Sequence, residues 1–140
     1  MRSLYDFSLA VDRIRAAHGA ISRSGQNVVL VGRSEGFLIG RRELAATIKR
    51  LVAYADAGAD CLYAPGITDL SAIRTLVSEV APKPVNVLLS GPDLRVADLA
   101  EVGVRRVSVG GALAAAAWTG FDAAAKMLIE EGRVARRFPQ

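Results

Sequence analysis

Arg33 and Glu35 are the residues whose types and spacing best suit them to chemistry, and they stand two and four residues beyond the aliphatic run Val28–Val31 in "VVLVGRSEGF". A guanidinium presents a planar fork of donors that grips a carboxylate or phosphonate in two prongs. A carboxylate two positions further on lies on the same side of an extended segment. There it can orient the guanidinium, or bond a substrate hydroxyl or a water. The plainer alternative is that the two charges only pair with each other at a rim, and spacing alone leaves both open. Asn86, inside "VNVLL", adds an amide that can donate and accept. Other reactive types are poorly set. Cys61 lies within an apolar run, the setting of an inert thiol and not of an activated thiolate. His18 falls in a helical stretch, as a solvated or packing residue. Asp60 precedes a strand, Asp69 caps a helix and Asp93 sits in a turn. A hard divalent cation needs converging oxygens, so no metal site is expected.

The elements that must hold these residues follow from periodicity. Phe7, Val11, Ile14 and Ile21 mark one face of a helix over about residues 4–23, which "RSGQN" ends. Val28–Val31 reads as a buried strand. Leu44, Ile48, Leu51 and Ala55 mark a second helix, stopped by Gly58. Cys61–Ala64 is a short strand closed by Pro65-Gly66. "TDLSAIRTLVSEV" is a helix with Thr68 and Asp69 as cap candidates. Residues 85–89 form a strand, "DLRVADLAEVG" a short helix, "RRVSVGG" a strand, and 112–131 a long alanine-rich helix. Residues 1–140 thus read as one domain of four βα units preceded by a helix, with a basic tail at 132–140. Alternation of this kind implies a parallel sheet with helices outside. In such folds chemistry gathers at the carboxyl ends of the strands, where Arg33 and Glu35 fall.

Taken in order, "LYDFSLAVDRIRAA", "VGRSEGFLIGR", "AYADAGADCLYAPG", "KPVNVLL" and "GVRRVSVGG" resemble the isocitrate lyase/phosphoenolpyruvate mutase superfamily. The likeness is greatest to its smaller 2-methylisocitrate lyase-like and carboxyphosphonoenolpyruvate mutase-like members. The resemblance implies an α/β fold, half of a (β/α)8 TIM barrel made of strands five to eight, since a whole barrel takes about 250 residues. It implies chemistry that makes or breaks C–C or P–C bonds beside an α-keto acid through an enolate, on a small carboxylic substrate. It matches Arg33 to an arginine that grips a substrate acid group, Glu35 to an acidic position beside it, and Asn86 to an asparagine of strand seven. Tyr63 falls on strand six at a variable position. The intact family uses Mg2+, but its metal-binding aspartates and mobile loop belong to the other half of the barrel. No cofactor is therefore expected for this chain alone, which is expected to be inactive by itself. The alternative is a non-catalytic oligomeric remnant or interaction module.

Composition bounds the rest. About half of the residues are apolar (51%), which suits a packed core. The net charge of +4 comes without a basic run interleaved with aromatics, so no nucleic-acid partner is expected. No stretch reads as approaching the roughly 18 apolar residues of a membrane span, so no membrane partner is expected either. The lone cysteine cannot form an internal disulfide, and Asp6 and Asp12 interrupt any signal-peptide pattern, so a cytoplasmic setting is expected. Open sheet edges and an apolar inner face, with Val29, Val31, Leu62, Val85, Val87, Val107 and Val109 as candidates for one face or the other, predict a homo-oligomer. The resemblance adds exchange of terminal helices between subunits.

Overall fold

Helix α1 (Phe7–Ser24) starts where the Asp6 carboxylate accepts hydrogen bonds from the backbone N–H groups of Ser8 and Leu9. These are donors that a helix start leaves without intrahelical partners. In the computed structural model, which describes residues 3–91 and 93–134, the remaining elements follow the expected alternation. They are β1 (Val31–Arg33), a single 3-10 turn (Phe37–Ile39), α2 (Leu44–Asp56), β2 (Cys61–Tyr63) and α3 (Leu70–Glu79). β3 (Val85–Leu88), α4 (Val96–Glu101), β4 (Arg106–Ser108) and α5 (Ala112–Glu131) complete the chain. Asp69 caps α3 as expected, accepting from the backbone of Ala72.

The four strands form one parallel sheet in the order β1-β2-β3-β4. Side chains alternate across it, and the two faces differ sharply. Gly32, Leu62, Val85 and Val87 share one register-matched face and are all buried. Gly32 marks the helix side: a Cβ there would lie 3.0 Å from the Cβ atoms of Tyr54 in α2 and of Ala59. The core lies on this side, with Leu51, Leu62, Ile73 and Leu99 fully buried. The opposite face carries Val31, Arg33, Cys61, Tyr63, Asn86, Leu88, Arg106 and Ser108. Leu62, Val85, Val87 and Val107 therefore lie on the helix side, and Val29 and Val109 lie outside the strands. The expected apolar inner face is in fact rich in polar groups.

Two further expectations need correcting. The first strand is not Val28–Val31 but Val31–Arg33. Val28 and Val29 are exposed, and the pairing with β2 begins only at Val31↔Cys61. Arg33 is thus the last residue of the strand and does not lie beyond it. The second concerns α5, which is long and apolar enough to cross a membrane by length and composition. Its apolar character is spread over alanines and interrupted by Asp122 and Lys126, so the sequence shows no unbroken apolar run there.

Where the sequence reads as a single domain over 1–140, the chain packs as two units, one ending at Ser108 and the other beginning at Val109. The second is built around α5. Gly132 ends the helix in the left-handed conformation, which glycine enters at least cost. Of the basic tail, only residues 132–134 belong to the described part.

Candidate functional site

The site is built at the carboxyl end of β1. The backbone N–H of Ser34 donates to the Tyr63 carbonyl at 2.9 Å, which carries the extended ladder one residue past the strand. In that conformation Ser34 turns inward, while Arg33 and Glu35 both stay exposed. Their side chains meet, with Nη2 of Arg33 2.7 Å from Oε1 of Glu35, and each is about half exposed (47% and 51%). An ion pair so open to water contributes only about 0–1 kcal/mol. It costs correspondingly little for an incoming acid to compete with Glu35 for the guanidinium. Both alternatives left open by the spacing are therefore compatible: the charges do pair, and the pair is weak enough to yield. Arg33 also lies over the Tyr63 ring, its Cζ 5.5 Å from the centroid, so its guanidinium leans toward the neighbouring strand.

Register extends this into a row. Arg33 pairs with Tyr63, Tyr63 with Asn86, and Asn86 with Arg106, one residue from each strand on the same face. Asn86 is buried, at 1% exposure, and its amide is occupied at both ends. Its Oδ1 accepts from Nη1 of Arg106 at 3.0 Å, and its Nδ2 donates to Ser108 Oγ at 3.0 Å. Asn86 thus shares a face with Arg33 and Glu35, two strands away, while its immediate partners are on β4. Cys61, one turn of the alternation below Tyr63, is a buried free thiol. Burial pushes its pKa up, against a smaller opposing pull from the Arg106 charge. This is the setting of an inert group.

Beside the Arg33–Glu35 pair, a cavity of about 330 Å³ is lined by Arg13, Arg33, Ser34, Glu35, Arg50 and Tyr54, among others. Arg13 and Arg50 rest over the rings of Tyr5 and Phe7. Ser34 Oγ is buried without a hydrogen-bond partner among the described residues.

The described residues do not suit Mg2+. Among the described residues no group of three or more His, Cys, Asp or Glu side chains could hold a metal ion. Asp60 accepts from the Leu30 backbone, Asp69 caps α3, and the Glu35 carboxylate faces Arg33. His18 is exposed on α1.

Sequence reasoning missed Arg106 and Ser108. The signal was present: they stand two apart in "RRVSV" and so share a face. Which face that is depends on strand register, which a single strand does not disclose. Ser34 was missed because a serine between two charges reads as a linker.

The model of the phosphoenolpyruvate phosphomutase family matches residues 1–129. The 2-methylisocitrate lyase of Salmonella typhimurium is 41% identical over 75 residues, covering 54% of this chain and 24% of that enzyme. Among solved structures, a Burkholderia cenocepacia protein provisionally named a lyase/mutase is 45% identical with a TM-score of 0.88. It is matched over 97% of this chain and 50% of its own. A 2,3-dimethylmalate lyase of the PEP mutase/isocitrate lyase superfamily is 26% identical with a TM-score of 0.85, over 97% of this chain and 49% of its own. The chain therefore covers about half the length of these solved structures, and the aligned segment about a quarter of the curated enzyme. The four-stranded parallel sheet is the counterpart of half of their TIM barrel.

Proposed function

Because the chain belongs to the phosphoenolpyruvate phosphomutase family, we propose that it supplies the acid-gripping part of a lyase or mutase barrel. Such a barrel cleaves or forms a C–C or P–C bond next to an α-keto acid through an enolate. The observation that carries this reading is the half-exposed Arg33 guanidinium at the carboxyl end of β1, steadied by Glu35 at 2.7 Å. In this reading Arg33 binds a substrate carboxylate in two prongs. Its fixed positive charge also favours negative charge that grows on the acid during reaction. Glu35 orients the guanidinium, or accepts a hydrogen bond from a substrate hydroxyl or water. Asn86 belongs to the same face. No step is assigned to a metal, since the residues present do not fit one.

The names of the two enzymes above, 2-methylisocitrate lyase and 2,3-dimethylmalate lyase, give the acids to try first. Calorimetric titration of the chain with either acid is expected to show binding that Arg33→Ala weakens by about 1.5–3 kcal/mol, the range for a hydrogen bond to a charged partner. Unchanged affinity in that variant would remove Arg33 from the site. Assayed in Mg2+ buffer for release of pyruvate or an aldehyde, the chain by itself is expected to give none. Turnover by the isolated chain would overturn the reading that it acts only when completed. The second reading, a non-catalytic module that keeps the acid site, is favoured by the scattered placement of Asp60, Asp69 and Asp93. It predicts binding without turnover even when a complementing half is supplied.

A further inference from the structure

Arg33 and Arg106 stand at opposite ends of the four-strand row, so their Cα atoms are three strand spacings apart, about 14 Å at roughly 4.8 Å per spacing. Their side chains do not stand straight up. Arg33 leans inward over Tyr63 of β2. Arg106 leans inward onto Asn86 of β3. Tyr63 and Asn86 are register neighbours, so each guanidinium leans from its own outer strand toward the central pair.

The hold on Arg106 is directional. Asn86 is buried, with Oδ1 toward Arg106 and Nδ2 toward Ser108. Reversing the amide would turn its NH2 against a guanidinium that can only donate, so the arrangement has one sense. A guanidinium carries five N–H donors, and Asn86 uses one nitrogen. The residue itself is exposed, and among the described residues it takes part in no salt bridge, whereas Arg33 does. Along the row itself there is no carboxylate. Glu35 stands at the Arg33 end only.

We propose that Arg106 is a specificity-determining residue, the second of two acid-binding points on this sheet face, and that Asn86 is a positioning residue that aims it. The ligand is then an acid with two carboxylates, one taken by Arg33 and the other by Arg106. The inference rests on the reading of Arg33 as an acid-group ligand and adds a discrimination that Arg33 alone does not supply.

The test compares malate with 3-hydroxybutyrate, the same skeleton with one carboxylate replaced by a methyl group, by calorimetric titration at low salt. The wild-type chain is expected to prefer malate by about tenfold or more. Arg106→Gln should abolish that preference by weakening malate and leaving 3-hydroxybutyrate unchanged, and Arg106→Lys should restore part of it. Asn86→Ala should lower the ratio by a smaller factor. Asn86 is buried, so its variant is read only through the ratio of the two affinities, which a general loosening would not shift. Arg33→Gln should weaken both acids together. A malate preference that survives in Arg106→Gln overturns the assignment of Arg106 while leaving Arg33 in place. A wild-type chain that binds neither acid overturns the reading of Arg33 and this inference with it.

Discussion

Ser34 is the residue whose surroundings and chemistry disagree most. Its hydroxyl is buried and has no partner among the described residues, although a buried unsatisfied group costs about 1–3 kcal/mol. Replacing it with an apolar side chain of nearly the same size removes that cost. Ser34→Ala is therefore expected to stabilise the chain, raising its Tm by a few degrees in a thermal melt. A lowered Tm would show that the hydroxyl is engaged. Arg33 and Glu35 on either side behave in the opposite way. Their ion pair is half exposed and weak, so Glu35→Gln should leave the stability within about 0.5 kcal/mol of wild type, and any larger effect should appear in acid binding. The side chain facing inward thus governs local stability, and the two facing outward are free to serve a ligand.

At the scale of elements, the link from α2 to β2 is set by Gly58. It holds φ +104, and a Cβ there would lie 2.4 Å from the His18 ring of α1. Gly58→Ala combines that clash with a left-handed backbone, a strain of order 1–3 kcal/mol. It should lower the unfolding free energy in a denaturant titration by at least that amount, and an unchanged midpoint would mean that α1 is not held against this turn. The caps give a pH dependence. The Asp69 carboxyl is held below its usual pKa by the Ser71 hydroxyl and then by the Ala72 backbone N–H. A depressed folded-state pKa contributes stability above the unfolded value of 3.8, lost as pH falls through the lower folded one. Asp69→Ala should accordingly destabilise at neutral pH, with the difference from wild type shrinking in acid melts below about pH 4. The cap and the helices were legible because periodicity and capping are local. Leu44, Ile48 and Leu51 recur at helical spacing, and Asp69 precedes its helix directly. The start of β1 was not legible. Val28 and Val29 have strand-forming side chains, yet the pairing partner begins only at Cys61, and partner position is a non-local property. The same reason hid half of the site. Arg33, Glu35 and Asn86 could be picked out by type, but Arg106 joins them only once four strands are in register.

At the scale of the whole molecule, the features that would drive self-association have to be weighed again. The sheet ends in β1 on one side and β4 on the other, and unpaired strand edges invite pairing. The face opposite the core helices, however, presents Arg33, Asn86, Arg106 and Ser108 instead of a continuous apolar patch. Association of two such faces would strip water from guanidinium groups, which is costly without close partners. The apolar surface lies instead on α5, where Trp118 is 64% and Ile129 83% exposed, with Leu113, Phe121 and Leu128 also exposed. Its alanine-rich groove, lined by Ala116, Ala117, Gly120, Ala123, Ala124 and Met127, admits close approach of another helix. Asp122 and Lys126 would each cost about 2.5–3.5 kcal/mol at the centre of a membrane-spanning helix, a cost that burial of one face against protein avoids. Apolar burial is worth about 25 cal/mol per Å², so ~1,000 Å² gives roughly 25 kcal/mol gross, against an association cost of about 4–15 kcal/mol before side-chain ordering. The chain is therefore expected to be a dimer or larger at micromolar concentration, held through α5. Light scattering should give at least twice the chain mass of 14.8 kDa, and Trp118→Lys with Phe121→Lys should return it to the single-chain value. A mass near 14.8 kDa for the wild-type chain would reject assembly altogether. A doubled mass that persists in the lysine variant would place the contact on the sheet edges instead.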